Sequence, residues 1–178
     1  MAAELRGRND HPAMGMGFDA GTEGSNPPSL ALMHLLHGAT ASHVINIAAK
    51  LGIADKLRDG PRPSEELARE LGAHANALHR VLRCLVFYGL LQEVEQGRFA
   101  LAPRGELLRS DHPESMLDLV LMTELACQAI SSLGETVKTG VPAFQIAFGH
   151  DFYEHLTANA DAGTNMAAAA AAMAIPPR

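Results

Sequence analysis

Apolar side chains recur at helical spacing between His74 and Leu91. They follow the i, i+3, i+4, i+7, i+8 pattern of a helix with one apolar face, and they are Leu78, Val81, Leu82, Leu85 and Val86. Gly89 ends the pattern and predicts the end of the helix. Burying five such side chains contributes roughly 7–15 kcal/mol as an upper bound, so this face is expected to pack inward.

The segments on either side of this helix have their own patterns. Residues 30–57 predict two helical stretches broken near Gly38, with Gly52 ending the second. Ser64, with two acids directly after it, predicts the N-cap of a short helix that stops at Gly72. Residues 91–101 alternate around Gln96-Gly97, which indicates a β-hairpin. This order of elements is that of a winged helix.

The remainder of the chain divides by composition. Residues 1–28 are rich in Gly, Pro, Asp and Asn without periodicity, which predicts a disordered leader before order begins at Ser29. Residues 29–110 form the predicted winged-helix domain. Residues 111–178 predict a helical linking segment, with one long helix to about Lys138 and an Ala-rich tail. The fold class is therefore mainly α, with a winged helix, a short β-hairpin and additional dimerisation and linking helices.

Composition limits the classes of function. The 178-residue chain is 47% hydrophobic and carries a net charge of −6, as a cytoplasmic globular protein would. No apolar run approaches the roughly 18 residues that a membrane helix needs, and no targeting segment is recognisable. Cys84 and Cys127 lie inside apolar helical patterns, which predicts buried, reduced thiols.

The polar face of the helix at 74–91 raises the question of DNA binding. It presents Arg80 and Arg83, and Arg98 lies in the predicted wing, so these three are the candidate DNA contacts of a transcriptional regulator. Between Gly60 and Ser110, however, seven basic residues face six acids, a surplus of only +1. Since phosphate attraction supplies most non-specific affinity, this balance counts against nucleic acid as a partner.

The histidines suggest no firm metal or catalytic site. His34 and His37 have the spacing of a helical metal pair, but no third ligand stands beside them. His150 and His155 lie near a predicted loop and are candidates for lining a pocket.

A longer stretch resembles a known family. Residues 50–115, which contain LGIADKL, the DGP turn, SEELA, RVLR and GRFALAPRGELLRS, resemble the N-terminal region of S-adenosylmethionine-dependent small-molecule O-methyltransferases of secondary metabolism. In that family the region is a winged-helix dimerisation domain. The likeness extends from about Leu30 to about Asn159, including TVKTGVPAFQIAFGHDFYEHL.

The resemblance implies a homodimer and a small-molecule acceptor, aromatic or polyketide-like, that is methylated on a hydroxyl group. Family members continue into a Rossmann-like domain with a Gly-rich loop that binds the cofactor, and the printed sequence has no such loop. The expectation is a chain that binds no cofactor and is inactive alone, with S-adenosylmethionine bound by a partner chain that carries the cofactor domain.

Site residues follow from the resemblance only in part. No catalytic, cofactor-binding or metal-binding residue transfers to this chain. Met122, Phe144 and Phe152 are the candidate acceptor-lining residues, and packing explains them equally well. A regulator that binds DNA remains an alternative, as does a catalytically empty scaffold that pairs with an intact methyltransferase.

Overall fold

The computed structural model describes residues 27–158. The helices are α1 (Pro28–Lys50), α2 (Ile53–Leu57), α3 (Ser64–Glu70), α4 (Ala75–Phe87), α5 (Pro103–Glu106), α6 (Leu117–Ile130), α7 (Leu133–Thr139), α8 (Ala143–Phe148) and α9 (Phe152–Ala158). The strands are β1 (Arg62–Pro63), β2 (Leu91–Glu95) and β3 (Arg98–Leu101). The predicted leader, except its last two prolines, and the Ala-rich tail lie outside the described residues.

The apolar stripe of α4 forms the centre of the core, as its spacing predicts. Leu78, Leu82 and Leu85 are buried, and the two valines of the stripe pack at the edge of the same cluster. Side chains from α2, α3 and β3 complete this core, namely Ile53, Leu57, Leu67 and Phe99. The prediction of buried thiols is wrong for Cys84, which is exposed on the opposite face of α4, and Cys127 is only half-buried.

The predicted hairpin is confirmed, and it belongs to a three-stranded antiparallel sheet in the order β1-β3-β2. The two-residue strand β1 has no signal of its own in the sequence, since it forms only by pairing with β3. This pairing also changes the role of Ser64, because Pro63 and not Ser64 is the N-cap of α3. The Ser64 backbone N–H donates to the Gly97 carbonyl at 2.8 Å, and the Ser64 hydroxyl lies 3.1 Å from His79 Nδ1.

The expected break near Gly38 is wrong. The helix α1 runs without interruption for 23 residues, and it begins at Pro28 rather than after Ser29. A glycine inside a helix costs only about 1 kcal/mol relative to alanine, which the many good helix formers around it offset. The end of α1 is as predicted, because Gly52 adopts a positive φ of 62° and Ile53 beyond it is buried.

The predicted long helix is two helices, α6 and α7, which meet at an angle of 53°. At the break, the Ser131 hydroxyl donates to the Gln128 carbonyl at 2.7 Å, a local bond that competes with helix continuation. No single helix within residues 27–158 could cross a membrane by length and apolarity, and only this bent pair meets both conditions together.

The helix α6 packs against α1 and is held there by a buried polar contact. Asn46 is buried on α1, and its side-chain amide donates to the Val120 carbonyl at 2.8 Å. Lys50 and Glu124 form an ion pair farther along the same contact. The mainly helical winged fold with additional helices is thus confirmed, and α6 connects the winged domain to the helices that follow.

Candidate functional site

Two of the three candidate acceptor-lining residues meet in an aromatic cluster at α8 and α9. The rings of Phe144 and Phe152 are 5.3 Å apart and edge-to-face, and Phe148 lies 4.4 Å from Phe144. All three rings are half-buried, so each is packed on one side and accessible on the other. The spacing of Phe144 and Phe148 is i, i+4 on a helix, and this signal could have added Phe148 to the prediction.

The same cluster includes the two histidines that were expected near a loop. His150 Nε2 and His155 Nδ1 are 2.9 Å apart, a distance that requires one ring nitrogen to donate and the other to accept. Their rings are stacked at 5.2 Å, and they lie 6.3 Å (His150) and 5.4 Å (His155) from the ring of Phe144. The arrangement provides aromatic faces that a planar ligand could contact, beside two imidazole rings that can donate and accept hydrogen bonds.

Met122 lies on α6, apart from the aromatic rings in sequence. It is half-buried, and α6 packs against α8, the helix that carries Phe144. The structure thus places the candidate residues on three helices, α6, α8 and α9, of which the last two share the aromatic cluster.

A second feature of the surface is the exposed apolar face of α1. Leu35 and Leu36 are 75% and 69% exposed, and Leu32, Met33 and Ile47 are also exposed. Leu32, Leu36 and Ile47 lie on one side of the helix, opposite the side that contacts the core. An apolar surface of this kind on a helix is typical of a protein–protein interface.

The candidate DNA contacts do not form one surface with a common role. Arg80 and Arg83 are exposed on α4, and within residues 27–158 neither has a carboxylate partner. Arg98 instead supports the wing, since its Nη2 donates to the Pro61 carbonyl at 2.9 Å and its Nε lies 3.7 Å from Glu95.

Acids with shifted pKa values belong to surface ion pairs and not to the aromatic cluster. The pKa of Glu70 is lowered, chiefly because Lys56 donates to it at 2.6 Å and Arg62 donates at 2.7 Å. The pKa of Asp111 is lowered by the Arg109 guanidinium, which donates two bonds of 2.9 Å. Among the described residues, no three His, Cys, Asp or Glu side chains converge as metal ligands would.

Curated proteins of similar sequence are methyltransferases. The chain is 38% identical over 140 residues to the phenazine O-methyltransferase PhzM of Lysobacter antibioticus, a match that covers 78% of this chain and 41% of that protein. It is 40% identical over 115 residues to the 8-amino-8-demethylriboflavin N,N-dimethyltransferase of Streptomyces davaonensis, covering 64% and 33%. The chain thus spans less than half the length of these relatives.

Solved structures of similar fold include the crystal structure of LaPhzM, which matches with a TM-score of 0.78 and 36% identity over 83% of this chain and 45% of that chain. Another is the O-methyltransferase NcsB1 from neocarzinostatin biosynthesis, in complex with S-adenosylmethionine and 2-hydroxy-5-methyl naphthoic acid. It matches with a TM-score of 0.66 and 30% identity, covering 76% of this chain and 42% of that one.

A family model assigns the winged part of the fold. The model of the O-methyltransferase dimerisation domain matches residues 33–111, which run from the exposed face of α1 through the sheet and α5. The resemblance expected from the sequence is confirmed. Residues 33–111 therefore belong to the O-methyltransferase dimerisation domain family.

Proposed function

We propose that this chain supplies the dimerisation and acceptor-binding part of an S-adenosylmethionine-dependent methyltransferase. Its acceptor is a small hydroxylated aromatic or polyketide-like molecule, and the protein acts in the cytoplasm. The observation that carries the proposal is the family match at residues 33–111 together with the exposed apolar face of α1 in the same segment. Residues 29–110 are the dimerising unit, and residues 111–178 lead from it towards the cofactor domain.

The apolar face of α1 supports a homodimer in particular. A second copy presents the same face, so a two-fold axis beside α1 would bring Leu32, Leu35 and Leu36 of both copies together. Leucines that are 58–75% exposed in a single chain would be removed from water in this way, at roughly 25 cal/mol per Å² of apolar surface.

Leu36→Asp is expected to convert the dimer to a monomer, because it would bury two unpaired carboxylates at a two-fold interface. We expect the dissociation constant of the dimer to rise by at least about 100-fold. Sedimentation velocity at micromolar concentration measures the change, with the wild-type protein at twice the 18.9 kDa mass of the chain.

Val94→Asp is the matched control for this substitution. Val94 is 46% exposed on β2, between two glutamates and away from α1. This variant should remain a dimer. A wild-type protein that sediments as a monomer, or a Leu36→Asp variant that stays dimeric, would contradict the proposed interface.

The aromatic cluster supports the proposed class of acceptor. Half-buried rings of Phe144 and Phe152 offer faces and edges that a planar aromatic molecule can contact. Two relatives support this choice, since the names of both specify fused-ring molecules, a phenazine and a riboflavin. The first of these relatives is named as an O-methyltransferase, which supports a hydroxyl oxygen as the atom that accepts the methyl group.

Phe152→Leu is expected to raise KM for a hydroxylated fused-ring acceptor about tenfold and to change kcat little, because the ring contacts the acceptor before and during transfer. We expect this in an assay with labelled S-adenosylmethionine and the chain combined with the cofactor domain that completes the enzyme. The 178-residue chain alone should transfer no methyl group.

Phe87→Leu is the control, because Phe87 is exposed on α4 and lies outside the aromatic cluster. Its kinetics should match those of the wild-type protein. Equal KM values for all three proteins would exclude the cluster as acceptor site.

Salt-dependent binding to duplex DNA that disappears in Arg83→Ala would instead identify a regulator.

A further inference from the structure

An apolar groove opens between α1, the end of α4, α5 and the start of α6. It has a volume of about 450 Å³, within the range of roughly 300–1,000 Å³ typical of small-molecule sites. Ile45 of α1, Leu107 after α5, and Met116 and Val120 at α6 form its apolar walls. None of these residues belongs to the aromatic cluster of α8 and α9.

Two polar side chains reach this apolar groove, and both are hydrogen-bond donors. Arg104 has no carboxylate partner within residues 27–158, in contrast to Arg62 and Arg109, each of which binds two acids. The Nη1 atom of Arg104 lies close to Gly89, because a Cβ atom added at Gly89 would be 3.4 Å from it. Burial raises the pKa of the Tyr88 phenol, so this group stays a neutral hydroxyl at physiological pH.

Among the described residues that line the groove, none is acidic. An apolar surface that ends at one unpaired guanidinium favours a ligand with a hydrocarbon body and one negative charge. Arg104 is exposed at the edge of the groove, so a carboxylate can bind it without displacing another acid, whereas an amine would meet it with the same sign of charge. A dicarboxylate would place its second charge against apolar walls without compensation.

We propose that the groove binds a small aromatic monocarboxylate, with its rings against Ile45, Met116 and Val120 and its carboxylate on Arg104. Tyr88 also lines the groove, and its hydroxyl is a second possible hydrogen-bond donor to the ligand. This inference goes beyond the proposed methyl transfer and does not depend on it, because it concerns binding by the described residues without a methyl donor.

Isothermal titration of the 178-residue protein with naphthalene-1-acetate and naphthalene-1-ethanol tests the proposal. The two probes share their rings and differ in the terminal carboxylate or hydroxyl. We expect the carboxylate to bind about tenfold more tightly than the alcohol at low salt, because its bond to Arg104 is charge-assisted. Equal affinities of the two probes would overturn the proposal. So would the absence of binding of the acid at millimolar concentration, which is the result expected if a second copy or residues outside 27–158 cover the groove.

Arg104→Met is expected to abolish the preference for the acid, since it keeps an apolar stem of similar length and removes the charge. Arg80→Met is the matched control, because Arg80 is an exposed arginine without a carboxylate partner on α4. It should retain the tenfold preference. A preference that persists in Arg104→Met, or that disappears equally in both variants, would overturn the assignment.

Methyl resonances locate the bound probe independently of any variant. Naphthalene-1-acetate should shift the signals of Ile45 and Val120, which line the groove. Ile146 on α8 is the reference, since it lies next to the aromatic cluster in sequence. Shifts confined to Ile146 would place the probe at the cluster and would refute the groove as its site.

Discussion

Gly105→Ala is expected to destabilise the protein by about 3 kcal/mol. A Cβ atom at this buried position would lie 2.1 Å from the Leu90 carbonyl oxygen and 3.2 Å from Leu101 Cδ2. The first contact is with backbone, which cannot move aside by changing a rotamer. The Leu90 carbonyl also accepts the Ala102 N–H at 3.0 Å, so displacing it would disturb the start of α5. Overpacking of a tight core typically costs 1–3 kcal/mol or more.

Urea unfolding followed by circular dichroism measures this effect at one fixed protein concentration, because any self-association would make stability depend on concentration. Gly134→Ala is the control, because Gly134 lies in α7 with open space around its Cα. There alanine should be neutral or stabilising by up to about 1 kcal/mol, through higher helix propensity. A Gly105→Ala variant as stable as Gly134→Ala would show that α5 does not pack on Leu90 as closely as described.

Phe99→Ala is expected to cost about 3–5 kcal/mol in the free energy of unfolding. Phe99 is completely buried on β3, and its ring meets the edge of the His79 ring at 5.5 Å. Its removal leaves a cavity among side chains from α2, α3 and α4, which can close only partly because three helices and a strand hold it open.

Phe87→Ala makes the same chemical change at a ring that is 45% exposed. We expect a loss below about 1 kcal/mol, because most of that surface is already in contact with water and no enclosed cavity results. The same unfolding experiment compares the two variants. Similar losses for both would mean that the wing does not form part of the core.

Local sequence patterns predicted those elements whose packing face is marked by periodicity. The stripe of α4 identified its buried leucines because apolar and polar positions differ clearly around that helix. The hairpin followed from alternation around Gln96-Gly97. The helix α1 is different, since apolar residues surround its first half and no face could be assigned. Only its contact with α6, through Asn46 and the Val120 carbonyl, defines the inner side and leaves the leucines exposed.

The candidate sites also depend partly on the sequence and partly on the tertiary structure. Phe144 and Phe152 could be selected from the family resemblance, but the contact of Phe144 with Phe148, His150 and His155 depends on how the chain folds between α8 and α9. The sequence also did not show that Gly105 lies too close to another backbone segment for a side chain to fit. A glycine inside a helical segment is a recognisable signal of close approach, yet the sequence does not identify the Leu90 carbonyl oxygen as the atom that approaches it.

The sequence alone determined the winged order of elements, the buried face of α4 and the family resemblance. It also determined the low surplus of basic residues, which argues against DNA binding. Each depends on neighbouring residues or on composition, which a linear pattern records. Tertiary structure decided the continuity of α1, the existence of β1, the exposed apolar face of α1 and the groove beside Arg104. These depend on pairs such as Asn46 and Val120, 74 positions apart, whose meeting is determined by the packing of whole elements.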